Sequence, residues 1–186
     1  MSTTLELLDK AKSLLPNYRQ PPLVMVRGKG SRIWDSDGRE YLDYSGGIAV
    51  LSVGHCHPKL AEAIATQAAT LMHTSNLFYT DKALELAHEI TTRTGFSRVY
   101  FANSGTEANE ALIKLARRWH YEQGSKDRSE IISTHHSFHG RTMGAVTLTG
   151  QPKYHVGMGP MMGGVTHIAY NDLEAKQKAK DGKDDK

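Results

Sequence analysis

The sequence predicts an α/β fold: a small antiparallel meander, then the first part of a parallel sheet with crossover helices. Three observations carry the prediction. Short apolar segments separated by glycine turns fill residues 24–42. Strand and helix patterns then alternate between residues 98 and 169, the rhythm of βαβ units. Between two of these elements lies a small polar turn, Asn103-Ser104-Gly105-Thr106, of the kind that opens a helix and binds phosphate.

Residues 1–20 read as a short helix and a connector ending at Pro21-Pro22. Val24-Met25-Val26, Arg32-Ile33-Trp34 and Tyr41-Leu42 read as the three meander strands, with Asp37-Gly38 as a tight turn. A helix begins near Pro58, with Leu60, Ile64, Gln67, Ala68 and Leu71 on one face. A second begins near Lys82, and Ala83, Leu86, Ala87 and Ile90 form its expected buried stripe. A strand is expected over 98–102 and a helix over 105–121, packed through Ala108, Ala111, Leu112, Leu115, Ala116 and Trp119. A strand over 130–133, a short helix near 140 and an apolar segment over 165–169 follow. The expected organisation is an N-terminal segment with meander and linking helix (1–73), a partial large α/β domain (74–173) and a charged tail (174–186). The tail has no large apolar residue after position 173 and is expected to be disordered.

Composition excludes several classes. The net charge of +3 demands neither nucleic acid nor an anionic membrane surface, and no apolar run is long enough to span a bilayer. The first residues have neither a basic region nor an apolar core, so no secretion signal is expected. A single cysteine, Cys56, rules out an internal disulfide framework and fits a reducing compartment, so the cytoplasm is the expected location. The clusters His55-Cys56-His57 and His135-His136-His139 lack metal-ligand spacing, and no metal is expected.

The chemistry concentrates at two turns. Ser104 with Glu107 three residues on fits a capping box, and the same turn fits a phosphate site, with Gly105 permitting close approach and Thr106 adding a hydroxyl; the two readings coexist. His135-His136-Ser137-Phe138-His139-Gly140-Arg141-Thr142 follows the next strand and so shares the carboxyl edge of the sheet with the first turn. Phe138 suits stacking on a flat ring or filling core, and Arg141 suits a bidentate carboxylate contact or a solvated surface. Gly46-Gly47 allows unusual backbone angles, and Tyr18 offers a phenol or a packed connector.

The segments Tyr41-Leu42-Asp43, Gly46-Gly47-Ile48-Ala49-Val50, Gly54-His55-Cys56-His57-Pro58, Asn76-Leu77-Phe78-Tyr79-Thr80, 103–110 and 137–142 together resemble class III pyridoxal-phosphate aminotransferases, most closely those acting on acetylornithine and ornithine. The resemblance runs from about Tyr18 to Leu173. It implies a fold-type I pyridoxal-phosphate transferase, here the N-terminal small-domain segment and the first half of the large-domain sheet. It implies that Ser104, Gly105 and Thr106 would hold the pyridoxal 5'-phosphate phosphate, and that Phe138, His139 and Gly140 would hold its ring. Arg141 would bind the substrate carboxylate, while Tyr18, Gly46 and Gly47 would line the substrate entrance. Amino-acid and 2-oxo-acid substrates, a homodimer and a place in arginine metabolism are implied as well. In that family the lysine carrying the cofactor lies downstream of the Phe-His-Gly-Arg turn, and no lysine here matches it. The chain alone is therefore expected to be catalytically inactive, a truncated or partial homologue or a partner subunit. A plain nucleotide-binding module is disfavoured, because 103–106 lacks the Gly-x-Gly-x-x-Gly and Gly-Lys-Ser/Thr patterns.

Overall fold

The computed structural model describes residues 3–180, which form two compact units divided after Thr80 rather than after residue 73. In the first unit α1 (Thr4–Lys10) starts at a full capping box: the Thr3 hydroxyl accepts from Glu6 N and the Glu6 carboxylate accepts from Thr3 N. The expected meander is present as β1 (Met25–Lys29), β2 (Arg32–Asp35) and β3 (Glu40–Leu42), antiparallel in the order β1-β2-β3. Asp35 anchors its turn. It is 3% exposed and accepts from Tyr41 Oη at 2.7 Å, Arg39 N at 2.8 Å and Asp37 N at 3.0 Å.

After β3 comes α2 (Gly46–Ala49), a single turn whose φ angles are all positive: +50° at Gly46, +65° at Gly47, +62° at Ile48 and +62° at Ala49. Glycine tolerates this left-handed region; β-branched Ile48 does so only under strain. Asp43 holds the turn: one carboxylate oxygen accepts from Ser45 N, Ser45 Oγ and Gly46 N, and the other meets His55 Nε2 at 2.7 Å. His55 is itself fixed against the meander, exchanging backbone hydrogen bonds with Gly30. The unit closes with α3 (Pro58–Thr70).

The second unit begins with α4 (Asp81–Thr94) and α5 (Gly105–Glu122). The expected strand over 98–102 is not formed. A strand exists only beside a partner, and no other strand pairs with it among the described residues. β4 (Ile131–Thr134) and β5 (Val165–Ile168) pair in parallel, from Ile131 opposite Val165 to Thr134 opposite Ile168. Between them in sequence, α6 (Met143–Leu148) forms the core of the unit: Gly144 through Leu148 are all buried, and Ile113 of α5 is buried with them.

The other apolar stripes are not covered. Leu112, Leu115 and Trp119 of α5 are 64%, 69% and 59% exposed, and Leu60 and Ile64 of α3 and Leu86 of α4 are exposed too. The helices form where periodicity places them, but periodicity marks a face that needs a partner without supplying one. Patches of this size promote association. The purified chain is therefore expected to be self-associated in size-exclusion chromatography with light scattering; a monodisperse monomer with one sharp unfolding transition counts against this.

The charged end also departs from expectation. Residues 173–180 form α7 (Leu173–Lys180), so the tail is ordered up to that point, and its continuation over 181–186 lies outside the described residues. The reason is local: Asp172 Oδ1 accepts from Ala175 N at 2.9 Å, an N-cap, and Glu, Ala, Lys and Gln are strong helix formers. Among the described residues no helix is long and apolar enough to cross a membrane, and no group of three potential ligand side chains is placed to hold a metal ion.

Candidate functional site

The two turns singled out by their chemistry meet in the second unit. Ser104 is the N-cap of α5, and its Oγ accepts from Glu107 N at 3.3 Å. The Glu107 carboxylate accepts in return from Asn103 Nδ2 and from Ser104 Oγ, and the Asn103 contact in particular holds its carboxyl below the usual glutamate range. Gly105 N and Thr106 N, in the first turn of the helix, face no acceptor among the described residues. With the positive end of an 18-residue helix behind them, they suit an anion.

The second turn lies against the first. A Cβ added at Gly140 would fall 2.2 Å from Thr106 Oγ1, and Gly140 has φ +128°, so only glycine lets the chain pass here. Thr106 Oγ1 lies 2.9 Å from Thr142 Oγ1 and accepts from Thr142 N at 3.3 Å. Asn109 Nδ2 donates to the His139 carbonyl at 2.6 Å. One oxygen of Glu110 accepts from Thr142 Oγ1 at 2.5 Å, Gly144 N at 2.9 Å and Ala145 N at 3.2 Å, and the Thr142 hydroxyl leads the causes that hold this carboxyl below its usual range.

The remaining residues of the turn have distinct surroundings. His139 points inward: its backbone N donates to Thr149 Oγ1 at 2.9 Å and its Nε2 lies 3.2 Å from Ser133 Oγ. Phe138 is 54% exposed, which excludes the core-filling reading. The Arg141 guanidinium lies 5.3 Å from the Phe138 ring centre and 4.5 Å from that of Tyr154, and no carboxylate among the described residues pairs with it. Its fork is available to an anionic ligand.

Tyr18, Gly46 and Gly47 belong to the first unit. Tyr18 is exposed in a hollow with Leu14, Leu15, Pro16 and Pro21, and Gly46 and Gly47 form the left-handed turn. The Asp43 carboxyl that holds this turn is kept far below its ordinary value, first by His55, then by the Ser45 hydroxyl and the Gly46 amide. A carboxyl depressed in the folded state contributes stability above its unfolded value, near 3.8, and loses that contribution as the pH falls through the folded value. Proteolysis at 44–51 is therefore expected to be slower in the unaltered chain than in Asp43→Ala at neutral pH, and the difference should vanish well below pH 3.8. A gap that persists in strong acid argues against this origin.

Periodicity left Asn109, Glu110 and Tyr154 out of the site. A signal for the first two was present: Thr106, Asn109 and Glu110 recur at i, i+3 and i+4, one face of a helix opposite its apolar stripe.

The fold has counterparts among solved aminotransferases of fold type I. The ornithine aminotransferase of Toxoplasma gondii superposes with a TM-score of 0.89 at 32% identity, over 96% of this chain and 43% of that one. The acetylornithine aminotransferase of Elizabethkingia anophelis superposes with a TM-score of 0.78 at 30% identity, over 98% of this chain and 42% of that one. The aminotransferase class-III family model matches residues 14–185, and the chain belongs to that family. It is 52% identical over 179 residues to the acetylornithine aminotransferase of Myxococcus xanthus, covering 96% of this chain and 45% of that protein. It is 50% identical over 170 residues to that of Caldanaerobacter subterraneus, covering 91% and 43%. The chain thus spans less than half the length of these relatives.

Proposed function

We propose that this chain provides the phosphate- and ring-holding part of a pyridoxal-phosphate aminotransferase that moves an amino group from N-acetylornithine, or another ω-amino donor, to 2-oxoglutarate. The observation that carries the proposal is the contact of the two turns, in which Gly140 closes on Thr106 and brings Phe138 and Arg141 beside the helix that offers the Gly105 and Thr106 amides. These groups fit the cofactor: free amides for a phosphate, an exposed ring for a flat heterocycle, and a guanidinium without a carboxylate partner.

When bound, pyridoxal phosphate supplies the electron sink on which transamination depends. The chain's own groups hold and orient. The Gly105 and Thr106 amides would hold the cofactor's phosphate and Phe138 would stack on its ring, while His139 and Gly140 fix the turn that carries Phe138 and Ser104 caps the helix. Arg141 would take a substrate carboxylate. Neither turn supplies a lysine to carry the cofactor or move the proton, so no amino transfer is expected from the groups of these two turns by themselves. The assembled enzyme is a cytoplasmic homodimer serving arginine metabolism.

The test is co-production of this chain with the portion of an acetylornithine aminotransferase that it does not match, followed by an assay for 2-oxoglutarate-dependent consumption of N-acetylornithine. Activity only when both parts are present supports the proposal. A second reading, a homologue that binds cofactor phosphate without catalysis, is favoured by the missing lysine; it holds if the mixture binds pyridoxal phosphate and transfers no amine.

A further inference from the structure

The polar face of α5 does more than cap a helix. Thr142, the N-cap of α6, makes no side-chain cap bond of its own, and Glu110, 34 and 35 residues away in sequence from the amides it serves, accepts from Gly144 N and Ala145 N instead. A plain cap needs no more than those two contacts. Glu110 also accepts from the Thr142 hydroxyl, and that hydroxyl meets the Thr106 hydroxyl in the phosphate turn. The fit is close: a Cβ at Gly144 would lie 2.6 Å from Glu110 Oε2.

Counting protons orders the chain. Thr142 Oγ1 has one proton, and the carboxylate can only accept it. The 2.9 Å contact between the hydroxyls must then use the Thr106 proton, so Thr106 donates inward to Thr142 and accepts from Thr142 N. Ser104 is similarly engaged with Glu107. An anion at this turn therefore meets backbone N–H groups and not the Thr106 hydroxyl, contrary to the expectation that this hydroxyl is a donor to it.

We infer that Glu110 is a positioning residue that sets the spacing between the phosphate turn at Gly105-Thr106 and the ring-holding turn at 138–141, acting through Thr142 and Thr106. The inference rests on the function proposed above. It predicts a specific pattern. A ligand that engages both turns depends on Glu110, whereas one that engages only the phosphate turn does not. Lys114, the nearby cation whose charge acts on Glu110, lies on the same helix and contributes no such link.

The experiment uses the full chain and its variants Glu110→Ala, Glu110→Gln and Thr142→Val. Pyridoxine 5'-phosphate, which has no aldehyde to react with surface lysines, and inorganic phosphate are the probes in equilibrium dialysis, with hydrogen–deuterium exchange of the peptides around 103–107 and 138–145 as the second readout. Glu110→Ala should weaken pyridoxine phosphate about tenfold and inorganic phosphate less than about twofold, as leaving two amides and a hydroxyl without their acceptor implies. It should raise exchange in both peptides, and Glu110→Gln, which keeps the acceptor, should restore both. Equal loss of the two ligands, or faster exchange confined to 143–145, overturns the inference. If Glu110→Ala loses protection throughout 131–168, Thr142→Val decides, since it breaks the link between the turns and leaves the Gly144 and Ala145 contacts in place. If the unaltered chain alone binds neither probe, the exchange pattern still decides whether Glu110 spaces the turns, and the co-production assay decides the proposed function separately.

Discussion

Gly150→Ala is expected to destabilise the second unit by about 3 kcal/mol, near the upper end for overpacking a rigid site. A Cβ there would lie 2.0 Å from the Thr134 carbonyl oxygen and 2.7 Å from the His135 Cα, and both neighbours are backbone. The same close approach carries three hydrogen bonds: Gly150 N to Ser137 Oγ, His136 N to the Gly150 carbonyl, and Ser137 Oγ to the Thr134 carbonyl. Moving residue 150 away breaks the two bonds that it makes itself, to Ser137 Oγ and from His136 N, at the end of β4 from which the 135–142 turn departs. The check is the urea midpoint read by hydrogen exchange over 131–150, with Gly163→Ala as the comparison, because nothing lies within 4 Å of a Cβ there. Equal midpoints for the two variants would show that the contact at Gly150 relaxes freely.

Gly140→Ala acts where the two turns of the candidate site meet. The added Cβ would overlap Thr106 Oγ1 at 2.2 Å and Thr106 Cβ at 2.5 Å, and φ +128° is a backbone angle that L side chains rarely adopt. The turns must separate, and binding of pyridoxine phosphate should fall by more than about tenfold, in line with ~2 kcal/mol or more of strain and lost contacts. Thr106→Ala in the same background removes the Oγ1 overlap but keeps the 2.5 Å overlap with Cβ and the backbone strain, and also removes the hydroxyl that meets Thr142, so it should recover at most a small part of the binding. Full recovery would assign the whole effect to crowding; unchanged binding in Gly140→Ala would mean that the turns do not act as a pair.

The parts of the fold that local chemistry dictates were legible in the chain. Asp37-Gly38 placed the meander turn, Pro58 placed the start of α3, and Ser104 placed the cap of α5. The two turns do meet, as expected, but through Thr106, Gly140 and Thr142 and not along a shared sheet edge, because no strand over 98–102 leads into the first turn. What depends on a neighbour did not follow. Residues 98–102 have the composition of a strand and lack a partner to make them one. Leu112, Leu115 and Trp119 have the periodicity of a buried face and no cover. Glu110 was passed over for the opposite reason: a carboxylate in mid-helix reads as solvated until the backbone of α6 is brought against it. In α7 the N-cap at Asp172 outweighed the low hydrophobicity that suggested a disordered end.

The two-sidedness of α5 has a thermodynamic consequence. One side of this helix holds the turn at 138–145 through Thr106, Asn109 and Glu110; the other presents Leu112, Leu115 and Trp119 to solvent. Any surface that settles on the outer side restrains the same backbone that the inner side must hold still to receive a ligand. For the ligand proposed above, each event would lower the ordering entropy left for the other, so covering the outer face is expected to raise ligand affinity and by the same factor the ligand to favour association.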